Sequence, residues 1–373
     1  MNIIAQKGFL LKAVSLLSQI ISNKPQSRPI LANILLKAEG QKLILNSTDM
    51  EMGLHMEIPV ENCYEEGVVL LPAHQLLGIL KETNVEQIQL EVLERTALLT
   101  GKGFQYKLPA YANEEFPELP EMEGQTFPLD QVVLHRVLRE VSYAMNRDKN
   151  RLQLNSILLC IHGDQLEAVA TDQARLAFSR TQLQQEQLPA LDGEDLKMVL
   201  PSKAMPVLSQ ILSQSNKSVE LSVGDSQVTF RFDGGFFIVR LVEAQFPNYR
   251  DAYGSYSSIP NLQISTQDML QAIRSMILLT CENAKNIALI LEKGLLTLKI
   301  STPLGEGKYE LEVEYDGEPL TVGTNPFFMQ DFLKEVDSQG IETIFLKLVG
   351  PRKPIIVYPH DNYLYFMSPV SAS

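Results

Sequence analysis

Tryptophan is absent from this sequence, and cysteine and histidine are scarce, at three and five residues in a chain of 373. Cys63, Cys160 and Cys281 are scattered, so no disulfide framework follows, and there is no CxxC pair or Cys/His cluster at zinc spacing. A reducing cytoplasm is the compartment this usage suggests. His55, His74, His135, His162 and His360 lie far apart and none belongs to an HExxH motif. Gly101-Lys102-Gly103 lacks the spacing of a phosphate-binding loop and reads as a hairpin turn. Asp49 and Glu51 stand two apart, which fits a solvated edge or turn better than a catalytic carboxylate pair, and Ser202 and Cys281 have no nearby base. The expectation is a protein with no metal, no cofactor and no catalysis; an enzyme would have to assemble its site from distant residues. A membrane anchor or export signal is also missing. Lys12 interrupts the apolar start and no small-residue cleavage site follows. Phe9, Leu10, Ala13, Leu16, Leu17, Ile20 and Ile21 instead form one stripe of an amphipathic helix.

What the chain does have is apolar material, 45% against 21% charged, enough for a core in each of two to four domains at roughly 100 to 200 residues per domain. It also repeats itself. Leu71-Pro72 opens a helical pattern, as do Leu200-Pro201 and, more loosely, Asn325-Pro326, at intervals of 129 and 125 residues. Strand-like runs end in Thr48-Asp49 and Thr171-Asp172, with a weaker counterpart at Leu296 to Thr302, and Phe116-Pro117 recurs as Phe246-Pro247. Periods near one third of the chain are too long for solenoid units and point to three homologous domains, each burying its own core. Within a repeat the pattern is helix, alternating strands, second helix, more strands. First helices are expected near 8–22, 129–146 and 266–280, and the class is α+β with largely antiparallel sheets. Pro206 is tolerable only in the first turn of its helix. Residues 116–128 and 251–260 read as linkers, giving domains at 1–122, 127–252 and 259–373.

The net charge of −13 argues against nucleic acid until it is placed along the chain. The first 38 residues carry Lys7, Lys12, Lys24, Arg28 and Lys37 and no acid; the six helical segments with their flanks sum to +7, leaving −20 elsewhere. Basic helices on an acidic protein can hold phosphate despite the overall sign, although mixed solvated helix faces would give the same arithmetic.

Four segments in order, Arg28-Pro29-Ile30-Leu31-Ala32-Asn33-Ile34-Leu35-Leu36, Ser47-Thr48-Asp49-Met50-Glu51, Ala170-Thr171-Asp172-Gln173-Ala174-Arg175-Leu176-Ala177 and Phe246-Pro247-Asn248-Tyr249, resemble the bacterial replicative sliding clamp, the beta subunit of DNA polymerase III. The resemblance runs the full length. It implies three repeated DNA-clamp domains, helices lining a ring closed by a head-to-tail homodimer, and sheets outside. The implied function is a processivity factor that encircles double-stranded DNA without reading sequence and tethers the replicative polymerase, the clamp loader and other clamp-binding proteins. A diverged paralogue that acts as a protein scaffold without encircling DNA is the second reading.

Residue by residue, the resemblance places DNA contacts at Lys24 and in the loop Lys149, Arg151 and Gln153; helix geometry adds Arg136 and Arg139, opposite an apolar stripe. Partner peptides with apolar anchors would dock on Leu154, Thr171, Arg175, Leu176, Pro247, Asn325, Phe328, Pro354, Pro369 and Val370, with Thr171, Arg175 and Asn325 as directional polar groups. The dimer contact maps to Tyr106 and Leu108 on one side and Ile277 and Leu278 on the other. Departures from the family pattern are Leu152 and Gln153 in place of aromatics, Gln173-Ala174 in place of Gly-His, Asp251 where a base is common, and a tail ending Ser368-Pro369-Val370-Ser371-Ala372-Ser373.

Overall fold

The computed structural model describes residues 1–21, 28–113, 115–120, 124–188, 195–213, 217–250, 261–282 and 284–371. Lys24 and Asp251 lie outside them. Among the described residues one pattern occurs three times. The first copy runs β1 (Asn2–Gln6), α1 (Lys7–Ile20), β2 (Asn33–Glu39), β3 (Lys42–Thr48), β4 (Met52–Pro59), β5 (Asn62–Glu65), β6 (Gly67–Pro72), α2 (Ala73–Glu82), β7 (Gln87–Leu93), β8 (Thr96–Gly101) and β9 (Phe104–Pro109). The second runs β10 (Gln125–Asp130), α3 (Gln131–Ser142), β11 (Ser156–His162), β12 (Gln165–Thr171), β13 (Arg175–Gln182), β14 (Leu196–Pro201), α4 (Met205–Leu212), β15 (Ser218–Val223), β16 (Gln227–Phe232) and β17 (Gly235–Arg240). The third runs β18 (Leu262–Ser265), α5 (Thr266–Ile277), β19 (Ile287–Glu292), β20 (Leu295–Thr302), β21 (Gly305–Glu312), β22 (Leu320–Thr324), α6 (Pro326–Ser338), β23 (Thr343–Leu348), β24 (Ile355–His360) and β25 (Tyr363–Met367). Only β5 lacks a counterpart.

Local chemistry sets the helix bounds. Asp130 Oδ1 accepts from the amides of Val132 and Val133 at 2.7 and 3.1 Å, so α3 starts at 131 rather than 129. Ser265 and Asn325 cap α5 and α6 in the same manner. Pro206 falls in the first turn of α4, where its missing N–H is no loss. In α1 the expected stripe is buried at Leu10, Ala13, Leu16, Leu17 and Ile20, and each leucine is worth roughly 1.5 to 3 kcal/mol of transfer free energy. Phe9 is 46% exposed, just outside it.

The chain forms two compact units. One comprises Met1–His135, Glu186–Ala190 and Lys203–Leu241, the other Arg136–Gln185, Leu191–Ser202 and Val242–Ser373. The first holds a five-stranded sheet, β5-β1-β7-β8-β9, and an eight-stranded sheet, β10-β15-β16-β17-β4-β3-β2-β6. The second holds an eight-stranded sheet, β14-β11-β12-β13-β25-β24-β23-β18, and a four-stranded sheet, β21-β20-β19-β22. Each eight-stranded sheet joins two successive repeats through the same antiparallel pairing: β4 with β17 (Leu54 opposite Phe237), and β13 with β25 (Ala177 opposite Tyr365). Glycine permits the first junction, since a Cβ on Gly235 would lie 2.2 Å from the His55 carbonyl oxygen. Beside it, Gly53 leaves the space that Leu119 occupies; a Cβ there would be 2.6 Å from the leucine.

The recurrent Thr-Asp is a recurrent turn. Thr48 Oγ1 donates to the Met52 carbonyl (2.7 Å) and Asp49 Oδ1 accepts from the Glu51 and Met52 amides; Thr171 Oγ1 donates to the Arg175 carbonyl (2.6 Å) and Asp172 Oδ1 accepts from the Ala174 and Arg175 amides. Asp49 and Glu51 also pair with Lys203, so the expectation of a turn holds, and the two carboxylates are bound by a cation. Residues 101–103 turn the β8–β9 hairpin as expected. One expectation needs correcting: residues 125–128 are not linker but part of β10, whose place at the sheet edge admits Pro128.

Both Thr-Asp turns place a non-glycine residue in the left-handed region, Met50 at φ 74° and Gln173 at φ 80°. That conformation costs an L-residue more than glycine loses in chain entropy, so Gln173→Gly should stabilise the fold by about 0.5 to 1 kcal/mol. The check is a higher urea midpoint with an unchanged slope.

Candidate functional site

The junction of β13 and β25 presents two chemically distinct faces, because side chains alternate along each strand. Arg175, Ala177 and Ser179 share one face with Tyr363, Tyr365 and Met367; Leu176 and Phe178 share the other with Leu364 and Phe366. On the first face Arg175 is 6% exposed, and its guanidinium donates to Asp172 Oδ2 at 3.0 Å and Asp331 Oδ2 at 2.7 Å. It also lies 4.4 Å from the ring centre of Phe328, a cation–π contact. Tyr365 donates to the Phe328 carbonyl and stacks on Phe332, while the Tyr143 and Tyr363 hydroxyls meet at 3.0 Å. Around Arg175 opens a groove of about 650 Å³ whose walls include Met145, Arg147, Ala174, Phe327, Phe328 and Lys334. On the opposite face Leu176 and Leu364 bridge two apolar clusters, one of Leu158, Cys160, Val169, Phe178 and Tyr249, the other of Ile356, Tyr358 and Phe366. Burial pushes the Cys160 thiol up to about 11, which makes it packing rather than a nucleophile.

The predicted pocket residues therefore divide. Arg175 and Phe328 line the groove; Leu176 belongs to the apolar face. Pro247 is half-buried between Phe246 and Tyr249, which pack on the Phe178 cluster. Leu154 is core at 1% exposure. Pro354 and Pro369 are half-buried, and the amide of Val370 donates to the Gly323 carbonyl at 3.0 Å. The three groups expected to be directional are engaged within the chain: Thr171 in its turn, Arg175 by two aspartates, Asn325 as the α6 cap through the Phe327 amide. Sequence reasoning missed Asp331, Arg147 and Lys334. The spacing of Phe328, Asp331 and Lys334 at i, i+3 and i+6 on one helix was the available signal.

The basic set is compensated more than expected. Arg136 pairs with buried Glu140 at 3.4 Å, Arg139 with Glu335 at 2.7 Å, and Arg151 with Asp148 at 3.9 Å. Lys149 is exposed, and Gln153 is half-buried with its carbonyl accepting from Ser156. Glu140 also accepts from the Ser179 hydroxyl. Among the described residues no group of three or more His, Cys, Asp or Glu side chains could hold a metal ion.

The ends of the two terminal sheets carry exposed apolar groups. Tyr106 on β9 is 42% exposed, with Leu108 buried beside it at 7%. Leu278, just past α5, is 80% exposed, Ile277 half-buried, and Leu304, at the turn before β21 and absent from the sequence reading, 61% exposed. In the described sheets β9 and β21 each pair on one side only.

Comparison with known proteins fits this threefold pattern. Models of the DNA polymerase III beta subunit match in order: the N-terminal domain over residues 1–120, the central domain over 128–248 and the C-terminal domain over 259–365. The chain belongs to the DNA polymerase III beta-subunit family. Its function is that of a DNA sliding clamp. The beta sliding clamp of Pseudomonas aeruginosa is 28% identical over 367 residues, covering 97% of each chain, and that of Chlamydia trachomatis 25% identical over 363 residues, covering 95% of this chain and 84% of the relative. A crystal structure of the Pseudomonas aeruginosa subunit superposes with a TM-score of 0.90 at 27% identity, over 99% of this chain and 100% of the other.

A half-buried acid on α6 of the clamp, Glu335, gives its stability a pH dependence. Burial, with repulsion from Glu140, holds the Glu335 carboxyl above its ordinary range against the pull of Gln339 and Arg139. Between the unfolded value of about 4.3 and the raised folded one, the native state binds a proton the unfolded chain has released, so this site's contribution to stability falls as pH rises. Glu335→Gln should remove that dependence: relative to the parent it gains stability near neutral pH, and the gain shrinks toward about pH 4. Urea midpoints at the two pH values check the sign.

Proposed function

We propose that two copies of this chain close head to tail into a ring around duplex DNA, with domains at 1–122, 127–252 and 259–373, and that the groove at the second junction receives the replicative polymerase, the clamp loader and other partners. The single observation that carries this reading is the strand inventory. Each internal junction pairs the third strand of one repeat's second sheet with the last strand of the following repeat, β4 with β17 and β13 with β25. The same rule leaves the outer side of β21 in the third repeat and of β9 in the first without a partner among the described strands. A second copy supplies both by one repeated operation, so the contact is heterologous and closes at two subunits into six domains. Net charge agrees, with Glu306, Glu310 and Glu312 outweighing Lys308 along β21, and Lys102 and Lys107 in and beside β9. Tyr106 and Leu108 would meet Ile277, Leu278 and Leu304 across it.

Within such a ring the contacts to DNA are to phosphate and sequence-independent. Lys24, Lys149, Arg151 and Gln153 serve as direct contacts, and Arg136 and Arg139 as arginines shared with Glu140 and Glu335. Partner peptides place apolar anchors on Leu176, Pro247, Phe328, Pro354, Pro369 and Val370, with Leu154 contributing only as core, and polar groups toward Thr171, Arg175 and Asn325. A cytoplasmic location fits three free cysteines and the lack, among the described residues, of a helix long and apolar enough to cross a membrane. The role is tethering rather than turnover, consistent with a family of processivity factors.

Three experiments test the reading. Clamp loaded on nicked circular DNA should stay bound at salt where direct binding has collapsed, and leave when the circle is cut; equal loss from circles and linear DNA would favour the scaffold paralogue. Leu278→Asp, which would bury an unpaired carboxylate at the interface, should give monomers in sedimentation, and an intact dimer would remove Leu278 from the contact. Glu335→Gln, by releasing Arg139, should steepen the salt dependence of DNA binding by about 0.9 per phosphate gained.

A further inference from the structure

The first strand of every repeat lies at or beside a sheet edge, and the three copies treat that edge differently. The amide of Lys7 donates to Glu86, that of Gln131 to Lys217 and that of Thr266 to Glu342, which fixes the alignment of the three strands. Counting back three residues, Ile4, Pro128 and Gln263 are equivalent, and by the alternation of antiparallel bonding each directs its backbone N and O away from the sheet. In the first repeat the edge is covered: the amide of Glu61 donates to the Ile4 carbonyl at 2.8 Å and β5 pairs with β1. In the second, proline stands at the position and no donor exists. In the third, no described strand pairs with the outer side of β18.

The chain that could have covered it turns elsewhere. Val60 and Val313 are equivalent, since their amides donate to the carbonyls of Gln41 and Gly294 at 3.0 and 3.2 Å. After Val60 the chain crosses to β1; after Val313 it folds back, and the Tyr315 carbonyl accepts from the Gly294 amide at 2.8 Å. The result is a groove of about 760 Å³ along β18, with Gln263, Ser265 and Thr343 on one side and Glu312 and Glu314 on the other; its described walls hold no lysine or arginine. An uncovered edge is a template for another strand, and proteins normally blunt such edges with proline or lysine. Here proline guards the second copy and acid flanks the third.

We infer that the outer edge of β18 is a strand-addition site for a partner protein's extended segment with alternating basic side chains. The partner's backbone takes the place of β5, bonding to Gln263 and Ser265, and its basic groups meet Glu312 and Glu314. This site is separate from the groove at Arg175; it shares Glu312, the last residue of β21, with the proposed subunit contact, while Gln263, Ser265 and Glu314 lie outside that strand.

The test uses the full chain and a fluorescein-labelled heptapeptide alternating lysine and valine, with a glutamate-for-lysine peptide as control, read by anisotropy. The lysine peptide should bind saturably and at least tenfold more tightly than the control, and should slow amide exchange across 261–266. Gln263→Pro copies the arrangement of Pro128, removes only an outward donor, and should keep the parent's urea midpoint while weakening the peptide at least tenfold. Glu312→Lys with Glu314→Lys should reverse the charge preference. Absence of saturable binding to the parent, or equal binding to Gln263→Pro, overturns the proposal, because a basic peptide held by the acidic surface at large would not sense one backbone donor. The monomeric Leu278→Asp variant should bind as the parent does, so failure of the ring reading and failure of this one are told apart.

Discussion

Backbone hydrogen bonding at strand edges is the constraint on which this architecture rests. A repeat in this chain is two helices and two sheets, each of four strands except where β5 adds a fifth in the first repeat; these are too few strands to close on themselves, so each sheet ends in donors and acceptors that need a partner. Successive repeats meet the need by merging edges, β4 with β17 and β13 with β25, and the merged sheets are what make the chain fall into two compact units rather than three. Domain boundaries drawn from sequence homology and units drawn from packing differ for this reason: homology follows the order of elements, packing follows the shared sheets. The second repeat contributes β10 and β15–β17 to one sheet and β11–β14 to another, and so belongs to both units.

Ancestry was the legible part. The recurrence of Leu-Pro, Thr-Asp and Phe-Pro marks structural equivalence because each motif has local work: the Thr-Asp pair binds the amides of its own turn, and Phe116 and Phe246 lie under the segments that leave the last strand of a repeat. Such interactions span a few residues and leave a signature in linear order. Helix caps at Asp130, Ser265 and Asn325 are local in the same sense, each binding an amide two or three residues on. Interactions between elements distant in sequence left none. Nothing in the neighbourhood of Arg175 announces Asp331, 156 residues away, and nothing near Arg139 announces Glu335, 196 away. The candidate site was therefore found as a set of positions, while its chemistry came only with the fold: three polar residues expected to greet a ligand hold each other or the backbone instead.

This engagement changes how the groove at the second junction works. An arginine held by two carboxylates and packed over Phe328 presents a fixed edge, with little rotamer freedom left to lose when a ligand arrives. In the proposed docking role, selectivity lies in shape, in the rings of Phe327 and Phe328, and in cations outside the network such as Arg147 and Lys334. By the family resemblance, Gln173-Ala174 in place of Gly-His acts in the same direction, since it puts an amide and a methyl group where an imidazole is expected.

Charge is organised at two ranges. Over the whole chain the helical segments with their flanks sum to +7 and the remainder to −20, which is the long-range condition for drawing a polyanion toward the helices. At short range the same helices hold carboxylates against their arginines, Glu140 against Arg136 and Glu335 against Arg139. A protein that must hold DNA firmly would have little use for that arrangement, because each phosphate contact then displaces an existing ion pair and gains only the difference. A protein that must remain on DNA by topology while moving along it gains from small differences. The free energy of any one contact sets the barrier to the next step, and tethered arginines keep that barrier low without reducing the field that keeps the duplex near the helices. Enclosure and weak contact are thus complementary demands on a clamp, and the half-buried carboxylate of Glu335, costly to the fold where it stands, is intelligible as part of meeting the second.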